Sequence, residues 1–338
     1  MRPLRPFAGP AAKCALRCAV WLLLLVAVLA PAAPATQCDN VDPCIAQLRF
    51  GETRALRELA AQLLGERGDP VAIAYLATAL ATDEGEFVRI NAAGALGRIG
   101  TLASIEPLTK ALAADKRELV RQAAATALGN IQAQDAGAAL AAALQQDESW
   151  QVRAACAQAL GMLRASAASA TALSTQLLRD GRREVRVSAA EAIASLKAQE
   201  AIDALAKALR EDASTQVRTA AALAMVAVDG EATDKALLAA LKEERDRTVR
   251  RTAVEVMGRR KRETVSPGLA YTLQMDPAIE VRQAAATALG RIGGQIARDA
   301  LSYYAANSLF PQVRRAAQDA LAELPAVAEA KPAAAAAN

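Results

Sequence analysis

The 338-residue chain is 53% hydrophobic and 22% charged, a balance that excludes a disordered polymer and is enough for two globular domains or one long repeat array. Only 3% of it is aromatic and none of it is histidine, which excludes a histidine-ligated metal or haem and every Ser-His or Cys-His nucleophile pair. The formal charge of +4 resides wholly in residues 1–35, which carry Arg2, Arg5, Lys13 and Arg17 and no acid. The remainder, with 36 basic and 36 acidic residues, is neutral and has no net field to attract nucleic acid.

In chain order, the first element is a secretory leader. The four basic residues precede an uninterrupted apolar run from Ala19 to Ala30, followed by the small triplet Ala33-Pro34-Ala35. This is the export pattern, with cleavage expected near Ala35, whereas a bilayer-spanning helix needs about 20 apolar residues. An uncleaved N-terminal anchor is the alternative. Gln37 before Cys38 does not suit a lipid-attachment site. Cys14 and Cys18 leave with the leader; Cys38 and Cys44 remain in CDNVDPC, and Cys156 stands alone. In an oxidising compartment the close pair is expected to form a disulfide.

Beyond the leader one motif returns: EFVRINAAGALGRIG at 86–100, LVRQAAATALGNI at 119–131, QVRAACAQALGML at 151–163 and EVRQAAATALGRIG at 280–293. Weaker copies begin near 184, 216, 248 and 312. The anchoring arginines Arg89, Arg121, Arg153, Arg186, Arg218, Arg250, Arg282 and Arg314 follow one another at a nearly constant period. One period before Arg89 lies Arg57, in a degenerate opening copy. Each unit has two apolar-periodic halves and reads as a helical hairpin. In the second half the residues one before, three after and seven after the arginine are apolar, as in Val88, Ala92 and Leu96, which keeps one helical face buried. The first half carries leucine pairs such as Leu76 and Leu80, or Leu205 and Leu209. Gly97, Gly129, Gly161, Gly258 and Gly290, eight after the arginine, mark where the second helix ends or packs tightly. Asp69-Pro70 and Glu106-Pro107 suit the start of a first helix.

The pattern D-x-x-x-x-V-R-x-x-A-A-x-A-L-G resembles HEAT repeats, in particular the short HEAT-like or phycobilisome-lyase-like type. That resemblance implies an all-α solenoid of about nine two-helix repeats of ~32 residues. The boundaries are a leader at 1–35, an N-terminal capping repeat with Cys38 and Cys44 at 36–69, seven repeats at 70–295, a C-terminal capping repeat at 296–325 and a low-complexity tail at 326–338. An acid stands six before the arginine in seven units: Asp83, Asp115, Asp147, Asp180, Asp212, Glu244 and Asp276. The resemblance implies that these acids join Arg89, Arg121, Arg153, Arg186, Arg218, Arg250 and Arg282 in a ladder of ion pairs within and between repeats. Gly51 and Ser308 occupy the acid slot in the terminal units.

A group that returns in every unit serves the repeat, whereas a catalytic group is needed once. Cys156 takes a small apolar slot and reads as a buried hydrophobe. The densest charge, at 242–262, offers Arg251, Arg259, Arg260, Lys261 and Arg262 as a docking patch for an acidic surface, or else as a solvated inter-repeat turn. The sequence therefore leads to an exported scaffold without catalysis, cofactor or metal, which meets protein partners of the periplasm or cell envelope on its concave second-helix surface. Neither nucleic acid nor stable membrane insertion after leader cleavage is expected. The alternative is a HEAT protein that holds a small ligand or acts as a chromophore lyase or chaperone.

Overall fold

The computed structural model describes residues 40–164 and 166–324; the segment 1–35 read as a leader, Cys38 with the disulfide expected of it, and residues 326–338 read as a tail lie outside them. The described residues form eighteen α-helices and no strand. In chain order these are α1 (Val41–Phe50), α2 (Arg54–Arg67), α3 (Ile73–Thr82), α4 (Glu86–Ile99), α5 (Ile105–Ala114), α6 (Glu118–Ile131), α7 (Gly137–Gln146), α8 (Trp150–Met162) and α9 (Ala167–Arg179). They continue with α10 (Arg183–Leu196), α11 (Ile202–Glu211), α12 (Thr215–Ala224), α13 (Glu231–Glu243), α14 (Arg247–Arg260), α15 (Ser266–Met275), α16 (Ile279–Ile292), α17 (Gly294–Asn307) and α18 (Pro311–Glu323). Odd and even helices pair as nine hairpins, each packed on the next.

The apolar spacing of each unit becomes one continuous core. Leu76, Leu108, Leu140, Leu173, Leu205, Leu237 and Leu269 of the first helices are fully buried, as are Val88, Val120, Val152, Val185, Val217, Val249 and Val281 of the second. Cys44 is buried in the slot that Leu76 fills one unit later. Asp69 caps the Pro70–Ala72 turn ahead of α3 by accepting the Val71 N–H at 2.9 Å. The last hairpin begins at Gly294, two residues inside the segment assigned from sequence to the preceding repeat.

The recurring glycines lie within the last turns of the second helices, where they permit contact between backbones. A Cβ on Gly65, Gly97, Gly129, Gly161, Gly258 or Gly290 would stand only 2.6–2.9 Å from an alanine of the next second helix: Ala95, Ala127, Ala159, Ala192, Ala288 or Ala320. Second helices therefore approach one another more closely than first helices, which are separated by open grooves such as the ~1380 Å³ trough between α3 and α5. A stack whose one edge is pinched and whose other edge is splayed must bend, and the second helices form its inner rim.

Candidate functional site

Between the two helices of seven hairpins the chain turns on an acid, which the arginine of the preceding hairpin reaches past its own turn. Arg57, Arg89, Arg121, Arg153, Arg186, Arg218 and Arg250 place Nε 2.6–2.8 Å from a carboxylate oxygen of Asp83, Asp115, Asp147, Asp180, Asp212, Glu244 and Asp276, respectively. Nη2 donates to the second oxygen of the same carboxylate at 2.9–3.2 Å, so every rung is a bidentate fork. Nη1 donates at 2.8–3.1 Å to the main-chain carbonyl of the residue in its own repeat's acid slot, which includes Gly51. Each carboxylate also accepts the N–H two residues on, as Asp180 does from Arg182 at 2.8 Å, and so starts the second helix.

The rung is thus an inter-repeat link on the side-chain level and an intra-repeat link through the backbone. It displaces the sequence assignment by one unit at each end. Arg57 makes a full rung, because only the carbonyl of Gly51 is needed behind it. Arg282 makes no ion pair among the described residues: Ser308 stands where its acid would be, and its guanidinium binds the Asp276 carbonyl and lies 5.0 Å from the centre of the Phe310 ring.

At the first rung, burial pushes the Asp83 carboxyl up, but the Arg57 guanidinium and the Gly85 N–H outweigh it and hold the carboxyl below its ordinary 3.8. A depressed carboxylate contributes stability that is complete above the unfolded value and is lost as pH falls through the folded one. Stability measured by urea at successive pH values is therefore expected to decline below pH 3.8 with a component that Asp83→Asn removes; parallel curves for the two proteins would refute the assignment. Cys156 is fully buried, and desolvation pushes its thiol up, away from nucleophilic character.

The basic segment 242–262 divides when seen in three dimensions. Arg259 and Lys261 are exposed, and Arg251 is exposed beside Glu255 at 3.5 Å. Arg260 is not available to a partner, contrary to the sequence reading, since its side chain is only 4% exposed. Its Nη1 donates to the carbonyls of Met225 (3.0 Å) and Val228 (2.6 Å), and its Nη2 donates to Asp229 (2.9 Å), Gly230 (3.2 Å) and Asp234 (3.1 Å). Arg262 shares that carboxylate, with Nε 2.6 Å from Asp234, but its side chain stays 35% exposed; Asp234 also accepts from the Thr264 hydroxyl at 3.1 Å. Asp234 and Thr264 were not singled out by sequence. The visible signal was a departure from the repeat: Asp234 stands where other units have Ile73, Ile105 or Ile202, and Arg260 where they have Ile99, Ile131 or Ile292.

What the inner rim shows to solvent is the set of positions two before and one, five and nine after each arginine, which share one helical face. On α4, α6 and α8 these are nearly free of charge. Phe87 (48% exposed), Leu119 (43%) and Met162 (49%) stand among Ile90, Gln122, Thr126, Asn130, Gln151 and Gln158. Toward the C-terminus the same face becomes charged, with Glu191, Arg251, Glu255, Arg259 and Arg291.

With this geometry in view, comparison with known proteins is direct. A family model described as HEAT repeats matches residues 41–129, 105–175, 170–258 and 234–322. The chain belongs to the HEAT-repeat family. Among solved structures it is similar to Kap95p in its complex with RanGDP, at 14% identity and a TM-score of 0.60 over 94% of this chain and 47% of that one. It is also similar to YibA of Escherichia coli, at 22% identity and a TM-score of 0.52 over 86% of this chain and 99% of that one. The complex of CpcE and CpcF of phycocyanin lyase from Nostoc sp. PCC7120 aligns at 22% identity over 87% of this chain and 98% of that one, with a TM-score of 0.37. At these identities the likeness is one of fold. No curated protein sequence matches the chain. No helix among the described residues is long and apolar enough to cross a membrane.

Proposed function

We propose that this HEAT-repeat protein is an exported, non-catalytic scaffold that offers its inner rim to a protein partner in the periplasm or cell envelope. The observation that carries this reading is the division of labour among the charges. Every recurring Arg–acid pair is consumed in a rung between neighbours, whereas the rim of α4, α6 and α8 leaves Phe87, Leu119 and Met162 exposed among mostly uncharged polar residues, with Arg54 stacked 4.8 Å from the Phe87 ring and Arg98 at the end of α4. That composition, apolar anchors in a surface of low charge, suits protein recognition. A small-ligand or chromophore-handling role would use a concave pocket with convergent free polar groups. The ~1380 Å³ groove lies between the first helices α3 and α5 rather than on the rim, and in its wall Arg89 and Asp115 bind other protein groups while Lys110 and Glu106 bind each other. Export is proposed from the basic residues, apolar run and small-residue triplet of positions 1–35.

The test is photo-crosslinking in envelope preparations of the source cells. A photoreactive residue at Thr126 or Gln158, on the inner rim, is expected to capture a discrete protein, and one at Thr78 or Lys110, on exposed first-helix positions, is not. Capture from the first helices alone would overturn the choice of surface. N-terminal sequencing of the same material is expected to begin near Thr36; a start at Met1 would overturn cleavage.

A further inference from the structure

The glycine-to-alanine contact that pinches the inner rim is missing at two consecutive interfaces. Ala194 and Ala224 fill the two slots between α10 and α12, and Val226 and Val256 fill them between α12 and α14. At the second of these, between the sixth and seventh hairpins, both slots hold a larger side chain, and the second helices touch less than at any other interface. Two further features belong to the same place. Glu244 is the only glutamate among the seven ladder acids; one methylene longer than aspartate, it reaches across this interface to stand 2.6 Å from Arg218 Nε. Helix α12 is about a turn shorter than the other second helices and ends at Ala224 in three i→i+3 bonds. The carbonyls of Met225 and Val228 beyond it accept from Arg260 of α14, and Gly230 turns the chain with a φ of 122° that strongly favours glycine. On the outer edge, by contrast, the first helices α11 and α13 pack as closely as most first-helix pairs.

We infer that the interface between the sixth and seventh hairpins is the joint of the array, about which hairpins one to six and seven to nine swing as two blocks. The pivot is the α11–α13 contact, and the edge that opens is the rim. Where glycine meets alanine, parting the second helices would break close backbone contact and leave a void, which a packed interior resists. Across the joint the resistance is lower, because Leu223 and Val226 are already 43% and 39% exposed and a small parting adds little apolar surface. What spans the gap there is ionic and carried on long side chains. Arg218 holds Glu244, and Arg260 holds the Met225 and Val228 carbonyls together with Asp229. Side chains with several rotatable bonds follow a rotation of one block against the other while their head groups stay paired. The joint lies between the two surfaces of the rim: Phe87, Leu119 and Met162 ride on the first block, and Arg251, Arg259 and Arg291 on the second. Bending therefore sets the spacing of the neutral surface from the charged one. The inference goes beyond the scaffold reading and does not depend on it.

The test is double electron–electron resonance on residues 36–338, with nitroxides carried by a ketone-bearing amino acid so that Cys44 and Cys156 stay untouched. Every label takes the rim slot five after an arginine. The pair Gly94 and Leu223 spans four interfaces without the joint, and the pair Thr126 and Glu255 spans four that include it. Both separations are about 32–40 Å at 8–10 Å per hairpin. The distance distribution of the second pair is expected to be at least twice as wide as that of the first. Gln158 and Thr287, a third pair that crosses the joint, should match the second. Equal widths for the first two pairs would overturn the joint: both narrow would mean one rigid body, and both wide would mean bending spread along the array. A wide second pair with a narrow third would overturn it too, since both cross the same interface.

Discussion

Arg153→Ala is expected to destabilise the array by about 3 kcal/mol, the usual cost of removing one partner from a buried bidentate pair. The Asp180 side chain is 3% exposed and would keep the Arg182 N–H while losing both guanidinium donors. The Asp147 and Glu148 carbonyls would lose their donor in the same change. The control is Arg314→Ala in the last described hairpin, where the arginine bonds the Ser308 carbonyl and makes no ion pair among the described residues; its loss should cost under about 1 kcal/mol. Urea denaturation of both variants measures the difference. Equal midpoints would mean that the rungs decorate the stack without holding it.

Where the damage appears is as informative as its size. In a solenoid each hairpin touches only its neighbours, so stability is a sum of hairpin and interface contributions. Arg153 lies on α8 of the fourth hairpin and Asp180 precedes α10 of the fifth. Weakening that one interface should divide the transition into two unequal blocks, and hydrogen exchange should rise first in α8 and α10. A uniform rise along all nine hairpins would point to a single cooperative unit.

Most of this architecture was legible because repetition averages away local noise. The constant step between arginines, the Val-Arg-x-x-Ala spacing and the leucine pairs each recur often enough to fix hairpins, core face and the acid slot. What sequence left open was partner choice across the gap. An acid and an arginine six apart in one unit look like mates, yet the bidentate bond runs to the acid of the following unit, which only stacking decides. That is why Arg57 was missed as a rung and Arg282 was included. The recurring glycine permitted two readings, helix end or close packing, and the alanine opposite it in the next unit decides for packing.

The basic cluster misled for a different reason. Charge density in one dimension says nothing of direction, and of five basic residues offered as a patch, Arg260 turns inward and Arg262 is half-buried against the same carboxylate. Comparing the units with one another would have found Arg260 and Asp234, because they are paired departures from slots that two other hairpins fill with isoleucine on both sides, Ile73 with Ile99 and Ile105 with Ile131. An unpaired charge in such a slot would be costly, and two opposite charges replaced together are not. Departure from a repeat's own consensus is therefore a better pointer to function in this chain than local composition.

The same pair gives the second large effect. Asp234→Ile alone is expected to cost roughly 3–4 kcal/mol, because it leaves the Arg260 and Arg262 guanidiniums without their buried carboxylate. Arg260→Ile alone should cost about as much, by leaving Asp234 with less compensation and the Met225 and Val228 carbonyls without their donor. The double variant restores the isoleucine pair that other hairpins use, so its loss should be smaller than either single loss, a coupling that a double-mutant cycle in urea reads directly. Simple additivity of the two single losses would show that the charges act independently. A double variant less stable than both singles would show that the shortened α12 needs Arg260 for its carbonyls more than for its charge, since in that case replacing Asp234 rescues nothing.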